Sequence, residues 1–277
     1  MDQRTLRKFF RHKPAVIGLF GLFLMIGLCI AAPLIAPHEP WGTNLESTLE
    51  GPSLNYPFGT DELGRCVFSR VLYGGRLSIW VGAVSVAMGL LFGGILGLIG
   101  GYFGGKIESL IMRTVDVFLA FPSILLAIVI AAMLGPGLLN VILAVGIRNV
   151  PSFARIMHGK VLSVKKSDYV MAARSVGASD IRIMFRSVLP NVFSTLLVFS
   201  TLQIANSILL GGVLNFIGLG VQAPVAEWGK MVSDGRSWLA SAPHISTFPG
   251  LAILFVAMGF NLIGDGLRDS LDPRFSS

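Results

Sequence analysis

The stretch Gly100–Lys106 reads G-x-x-x-x-G-K, the spacing with which backbone N–H groups and a lysine cradle nucleotide phosphates. Ile107 stands where a Ser or Thr would bind magnesium, and a glycine-faced apolar segment precedes the loop where a strand is required. No cofactor is therefore expected on this chain, and any ATP-driven step needs ATP and Mg held by another subunit. The 4 histidines, His12, His38, His158 and His244, are scattered, and no Cys/His cluster has metal-ligand spacing. Cys29 and Cys66 are too few for a disulfide framework. There is no G-x-S-x-G elbow and no carboxylate pair at helical spacing within an apolar run, so no catalytic residue is expected. What remains is amide chemistry in apolar surroundings. Gln203 and Asn206 share one helix face, and Asn261 lies in another apolar segment. Such groups face protein or a cavity, so they are candidates for a translocation path, with interhelical hydrogen bonding an equal alternative.

A second pattern is a surface rather than a site. Asp168, Tyr169, Val170, Met171, Ala172 and Ala173 are followed by Gly177, Ala178 and, farther on, Leu189 and Pro190. Small residues bracketing a short amphipathic helix let it lie in another protein's groove while the surrounding basic residues stay wet.

The elements that must position these residues follow from charge distribution. The chain has 277 residues, 53% hydrophobic and 13% charged, against about 25% charged in soluble domains. Charge-free intervals run from Pro14 to His38, Leu77 to Gly105, Val117 to Ile147, Ser187 to Ala226 and Ser237 to Gly264. Each exceeds the roughly 20 residues that cross a bilayer. The expected architecture is an all-α polytopic membrane protein with transmembrane helices at about Pro14–Ala36, Leu77–Gly101, Met112–Leu134, Leu138–Phe153, Asn191–Gly211 and Pro249–Leu267. The first is too long for a signal core and is read as uncleaved. Two regions are expected: residues 1–76, with the amino terminus, first helix and an outer loop, and residues 77–277, a five-helix core with a cytoplasmic loop at about 155–190. Inside the second helix Gly89, Gly93, Gly97 and Gly101 recur every four residues, followed by Gly105. That register predicts a surface for close helix packing.

Six helices place both termini on one side. Basic residues crowd that side: the amino terminus, the loop with Lys106 and Arg113, the loop with seven from Arg155 to Arg186, and the carboxyl end. The opposite side holds Arg65, Arg70, Arg76, Lys230 and Arg236, and Arg148 lies within a helix. Because cytoplasmic loops collect Lys and Arg, both termini and the basic loop are expected in the cytoplasm. The net charge of +7 is thereby accounted for by topology and membrane lipid, with no nucleic-acid partner.

The cytoplasmic segment resembles that of the permease subunits of ABC importers, whose motif is Glu-Ala-Ala, three residues, Gly, then about eleven residues and Leu-Pro. Ala172, Ala173, Gly177, Leu189 and Pro190 fall at matching positions, with Met171 in place of the glutamate. The stretch Phe58-Gly59-Thr60-Asp61-Glu62-Leu63-Gly64-Arg65, the segment Glu227-Trp228-Gly229 and the end Leu267-Arg268-Asp269 with Leu271-Asp272-Pro273-Arg274 are similar to the dipeptide, oligopeptide and nickel branch. Cys66 stands where that branch usually has Asp. The resemblance implies a type I ABC importer fold in the inner membrane, a sister permease, two ATPase subunits docked on the Asp168–Gly177 segment and an extracytoplasmic binding protein. It implies di- or oligopeptide cargo, with nickel or a metal chelate as the alternative within the branch. A self-contained carrier or channel is the alternative of another class, but mid-membrane carboxylates are absent from all six segments.

Overall fold

In lipid every backbone N–H and C=O must find a partner within the chain, so apolar runs of this length become helices. The structure, a computed structural model, describes residues 3–271, with side chains from Arg7 onward. Asp272, Pro273 and Arg274 of the terminal motif lie outside the described residues. Among the described residues the regular structure is helical, apart from one isolated bridge between Thr60 and Cys66.

A short basic helix, α1 (Gln3–Arg11), leads into α2 (Lys13–Ile30) and a single turn, α3 (Ala32–Ile35). The break falls at His12, whose Nδ1 accepts from the Ala15 N–H and caps α2, while Pro14 sits in the first turn where no N–H is needed. After the polar excursion that follows α3, α4 (Val67–Met88), a π segment (Gly89–Gly93) and α5 (Gly94–Phe103) form a continuous run of 37 residues. This helix begins ten residues before the expected Leu77, so the division at residue 76 falls inside it. The cause is local: Arg70 and Arg76 do not interrupt it, because their guanidinium groups are absorbed by carbonyls. Arg70 Nη1 donates to Pro40 O at 2.9 Å, and Arg76 Nε donates to Cys29 O at 2.6 Å.

The expected third helix is two helices, α6 (Gly105–Ala120) and α7 (Ser123–Leu134), bent by 93°. Phe121 precedes a proline and takes the extended conformation, φ −82° and ψ 140°, that this position favours. The fourth, α8 (Leu138–Lys165), continues past the expected end at Phe153 and through Pro151. Its polar half finds partners on α6: Arg155 pairs with Asp116, and His158 Nε2 lies 2.7 Å from Glu108 Oε1. Then come α9 (Asp168–Ser175), α10 (Asp180–Ile183), a second π segment (Met184–Val188) and α11 (Leu189–Phe216). A segment carrying α12 (Trp228–Gly235) leads to α13 (His244–Leu271), which contains Pro249 rather than starting there.

Four of these helices, Lys13–Ile30, Val67–Phe103, Asp180–Phe216 and His244–Leu271, are long and apolar enough to cross a membrane, and the bent pair is a fifth if counted as one span. The polar residues Arg148, Asn149 and Arg155 leave α8 short of that composition. Side chains pack in two main bodies. One joins α2, α4, α12 and α13 through Leu22, Val71, Trp228, Ile245 and Val256. The other joins α5, α8, α9, α10 and α11 through Tyr102, Phe153, Met157, Val170, Ile183 and Leu196. Phe20, Phe23 and Leu34 point outward, as lipid-facing residues do.

Candidate coupling surface and the polar centre behind it

The α9–α10 hairpin is built on one glycine. Gly177 has φ +79°, its N–H reaches the Arg174 carbonyl at 3.0 Å, and the Ala178 N–H reaches that of Ala173 at 3.1 Å. That pair of bonds is a Schellman ending of α9, which places its C′ residue in the left-handed region that glycine enters freely. Asp168 in the first turn and Arg174 in the last match the helix dipole. Of the remaining residues, Val170 is 2% exposed and plugs into the second core body, whereas Tyr169, Met171 and Ala172 point outward. Val176 is 83% exposed, and Ile181 and Phe185 continue the same uncovered apolar surface. Beside it lies a cleft of about 370 Å³ with Ala173, Gly177 and Ile183 in its walls and Arg182 and Arg186 at its edge. Leu189 is half-buried, and exposed Pro190 starts α11.

The hairpin is fastened to the membrane helices by a residue that sequence reasoning missed. The Tyr102 hydroxyl, at the end of α5, donates to Asp180 Oδ1 at 2.6 Å. Arg174 Nη2 lies 3.5 Å from both that hydroxyl and the carboxylate, and Lys165 Nζ donates to the Tyr102 carbonyl. Behind the tyrosine, Gly89, Gly93, Gly97 and Gly101 lie against α8. A Cβ on Gly89 would sit 2.7 Å from Asn149 Cβ, on Gly93 2.7 Å from Phe153 Cβ, on Gly97 2.6 Å from Met157 Cβ and on Gly101 2.9 Å from Val161 Cβ. The next glycine of the register, Gly105, has φ +60° and open space around it, so it turns the chain instead of packing. Gly100 and Gly101 lie inside α5, where their N–H groups belong to the helix, and Gly105 and Lys106 open α6.

Halfway along the helices a polar centre forms around Asn149, which is fully buried. Its amide nitrogen donates to Ser207 Oγ at 3.0 Å. Its oxygen accepts from Arg148 Nη1 at 2.9 Å and from Gln203 Nε2 at 3.3 Å. Asn206 Nδ2 donates to Gln203 Oε1 at 2.9 Å, so Gln203 and Asn206 belong to one network. Asn261 is exposed on α13 and joins none of these bonds. Asn149 and Ser207 were passed over although each adjoins another polar residue, Arg148 and Asn206, and those neighbours were the available clue.

Between α3 and α4, the Phe58–Arg65 stretch folds on itself. Asp61 Oδ1 accepts from the Leu63 and Arg65 N–H groups, and its Oδ2 accepts from Arg65 Nε at 2.7 Å, with Arg70 Nε at 3.5 Å. Glu227 caps α12, accepting from the Lys230 N–H and from the Ser78 hydroxyl at 2.6 Å, and burial pushes its carboxyl above the ordinary range. Trp228 Nε1 donates to Val71 O at 2.8 Å. These bonds tie the segment between α11 and α13 to α4. Among the described residues no three His, Cys, Asp or Glu side chains are placed to hold a metal ion.

A helical core with a glycine-capped hairpin and a folded segment between α11 and α13 has known counterparts. Residues 89–277 match the family of the binding-protein-dependent transport system inner membrane component, and residues 3–52 match the N-terminal TM domain of oligopeptide transport permease C. The chain belongs to this ABC importer permease family. It is 47% identical over 267 residues to the dipeptide transport system permease protein DppC of Alkalihalophilus pseudofirmus, covering 96% of this chain and 88% of the relative. It is 43% identical over 272 residues to the glutathione transport system permease protein GsiD of Pectobacterium atrosepticum, covering 98% and 90%. An inward-facing structure of the MetNI methionine ABC transporter superposes with a TM-score of 0.63 over 74% of this chain and 98% of that one, at 16% identity. That last likeness concerns fold alone. The permease is thus a membrane transport component of the dipeptide and oligopeptide branch, a family that works with ATPase and binding-protein partners.

Proposed function

We propose that this permease moves di- or oligopeptides inward as one of two related permease chains, with two ATPase subunits docked on the α9–α10 hairpin. A binding protein delivers cargo from outside. Six crossings, α8 included, set both termini in the cytoplasm, where the positive-inside distribution favours them. ATP and Mg reside on the partner ATPases. On this reading ATPase closure presses on Tyr169, Met171 and Val176, and the Tyr102–Asp180 bond passes the displacement to α5 and, through the glycine register, to α8. Rigid packed helices then switch access between two faces. Met171 offers an apolar contact where a glutamate would have offered charge. Gln203, Asn206 and Asn261 stand as the path candidates, and the exposed Asn206 is the best placed of them to meet cargo.

The observation that carries the docking assignment is the exposed apolar surface of a hairpin whose other side is anchored in the core. The peptide assignment rests on relatives named for dipeptide and glutathione transport, which favours peptide over nickel. Uptake decides it: cells lacking the gene are complemented and offered a labelled dipeptide, a labelled longer peptide and radioactive nickel. ATP-dependent peptide uptake is expected; nickel uptake alone, or uptake that persists without the ATPases, overturns the assignment.

A further inference from the structure

A cavity of about 620 Å³ opens between α8, α11 and α13, outside the polar centre and the coupling hairpin. Its wall is graded along the helix axes. Toward the ends nearest the hairpin it carries Lys160, Arg268, Asn191, Ser194 and Thr195, and deeper along α8 and α11 it carries Ile156, Val198, Phe199 and Leu202. Lys160 and Arg268 have no carboxylate within ion-pairing distance among the described residues. Two cations that pair with no carboxylate among the described residues, with hydroxyl groups beside them, suit an anion, and an apolar lower wall suits hydrocarbon. Gln203, the nearest deep amide on α11, is 6% exposed and turned to Asn149, so it gives a charged peptide no partner there.

We propose that this cavity binds an anionic phospholipid of the inner leaflet. The phosphate sits between Lys160 and Arg268, within reach of Ser194 and Thr195, and an acyl chain lies along Val198, Phe199 and Leu202. Asn191 is already committed on its nitrogen to Ser187 O, which leaves its oxygen for a headgroup hydroxyl. The inner-leaflet placement rests on the orientation proposed above, whereas binding itself does not depend on cargo. An occupied site would brace α11 against α13 at the end where the hairpin joins, making assembly and transport responsive to lipid composition.

The test uses the permease purified with its accompanying subunits, titrated with phosphatidylglycerol or phosphatidylcholine and read by native mass spectrometry. Wild type is expected to bind phosphatidylglycerol selectively. The Lys160→Ala/Arg268→Ala variant should bind it about 30-fold more weakly, each cation contributing about 1 kcal/mol near an anionic surface. Lys160→Arg/Arg268→Lys should retain binding, and Lys166→Ala, outside the cavity, should leave it unchanged. Equal binding by wild type and the double alanine variant overturns the proposal. So does displacement of the lipid by inorganic phosphate or dialanine, which would mark a site for free anions or cargo. Peptide uptake is measured separately, so its failure with lipid binding intact would fault the transport reading alone.

Discussion

Replacing Gly97 by alanine tests the close contact of α5 with α8 against an internal control three residues away. The new methyl would sit 2.6 Å from Met157 Cβ and 3.0 Å from the His158 nitrogen, and closer still to the Ala154 carbonyl. Two of these neighbours are backbone and cannot swing aside, so α5 and α8 must separate. Overpacking of this kind costs about 1–3 kcal/mol, and the backbone contacts put it near the top of that range. Alanine returns about 1 kcal/mol in helix propensity, leaving a net loss of about 2 kcal/mol. Gly94→Ala gains the same propensity, but its methyl meets nothing within 4 Å, so it should stabilise by about 0.5–1 kcal/mol. At about 2 °C per kcal/mol for a chain of this size, the two variants should melt about 5–6 °C apart in detergent, on opposite sides of wild type. Melting temperatures that coincide, or that fall in the reverse order, would refute the close approach of α5 to α8.

Tyr102→Phe removes the bond to Asp180 without touching the exposed docking face. Loss of about 1 kcal/mol of connection should lower substrate-stimulated ATP hydrolysis about 5-fold while ATPase co-purification holds; loss of both together would assign the tyrosine to docking instead. Asn149→Ala strands Gln203, Ser207 and Arg148 around a dry hole and should cost about 2–3 kcal/mol, read as a lower melting temperature than Asn206→Ala, whose single bond lies at the network's edge. Burial raises the Glu227 carboxyl, so the folded state holds this proton more tightly than the unfolded chain. Stability from this residue is greatest below the ordinary carboxylate value of about 4.3 and falls as pH rises toward the raised folded value. Glu227→Gln should flatten that slope in melting curves, and an unchanged slope would show that another group sets it.

The charge-free intervals overlap the four helices long and apolar enough to cross a membrane and the bent pair α6–α7, because desolvating Arg, Lys, Asp or Glu in lipid is so costly that composition alone exposes such segments. Their ends were less legible, and for one reason. Arg70 and Arg76 read as loop residues, yet each guanidinium is satisfied by carbonyls 30 or more positions away in sequence, so α4 carries them inside a helix. The expected ending of α8 at Phe153 fails the same way, since partners for Arg155 and His158 come from α6. Phe121-Pro122 was legible in principle: the residue before proline leaves the helical region, but an unbroken run of apolar residues masked the bend.

The turn of the α9–α10 hairpin was legible because small residues and a glycine at fixed spacing carry their own geometry, and Gly177 takes a left-handed conformation that glycine enters freely. Its attachment was not. Tyr102 ends a run read only for its glycines, and Asp180 is one acid in a basic loop. The two meet because the α4–α5 helix and the α9–α10 hairpin terminate at the same level beside α8. That juxtaposition gives the glycine register a second consequence. Side chains of ordinary size at positions 93 and 97 would push α8 outward, and Lys165, at its far end, would leave the Tyr102 carbonyl. Close packing along four turns therefore does more than stabilise a helix pair. It fixes where the tyrosine stands, and so, under the proposed coupling, whether a push on the hairpin moves α5 or is lost in a loose joint.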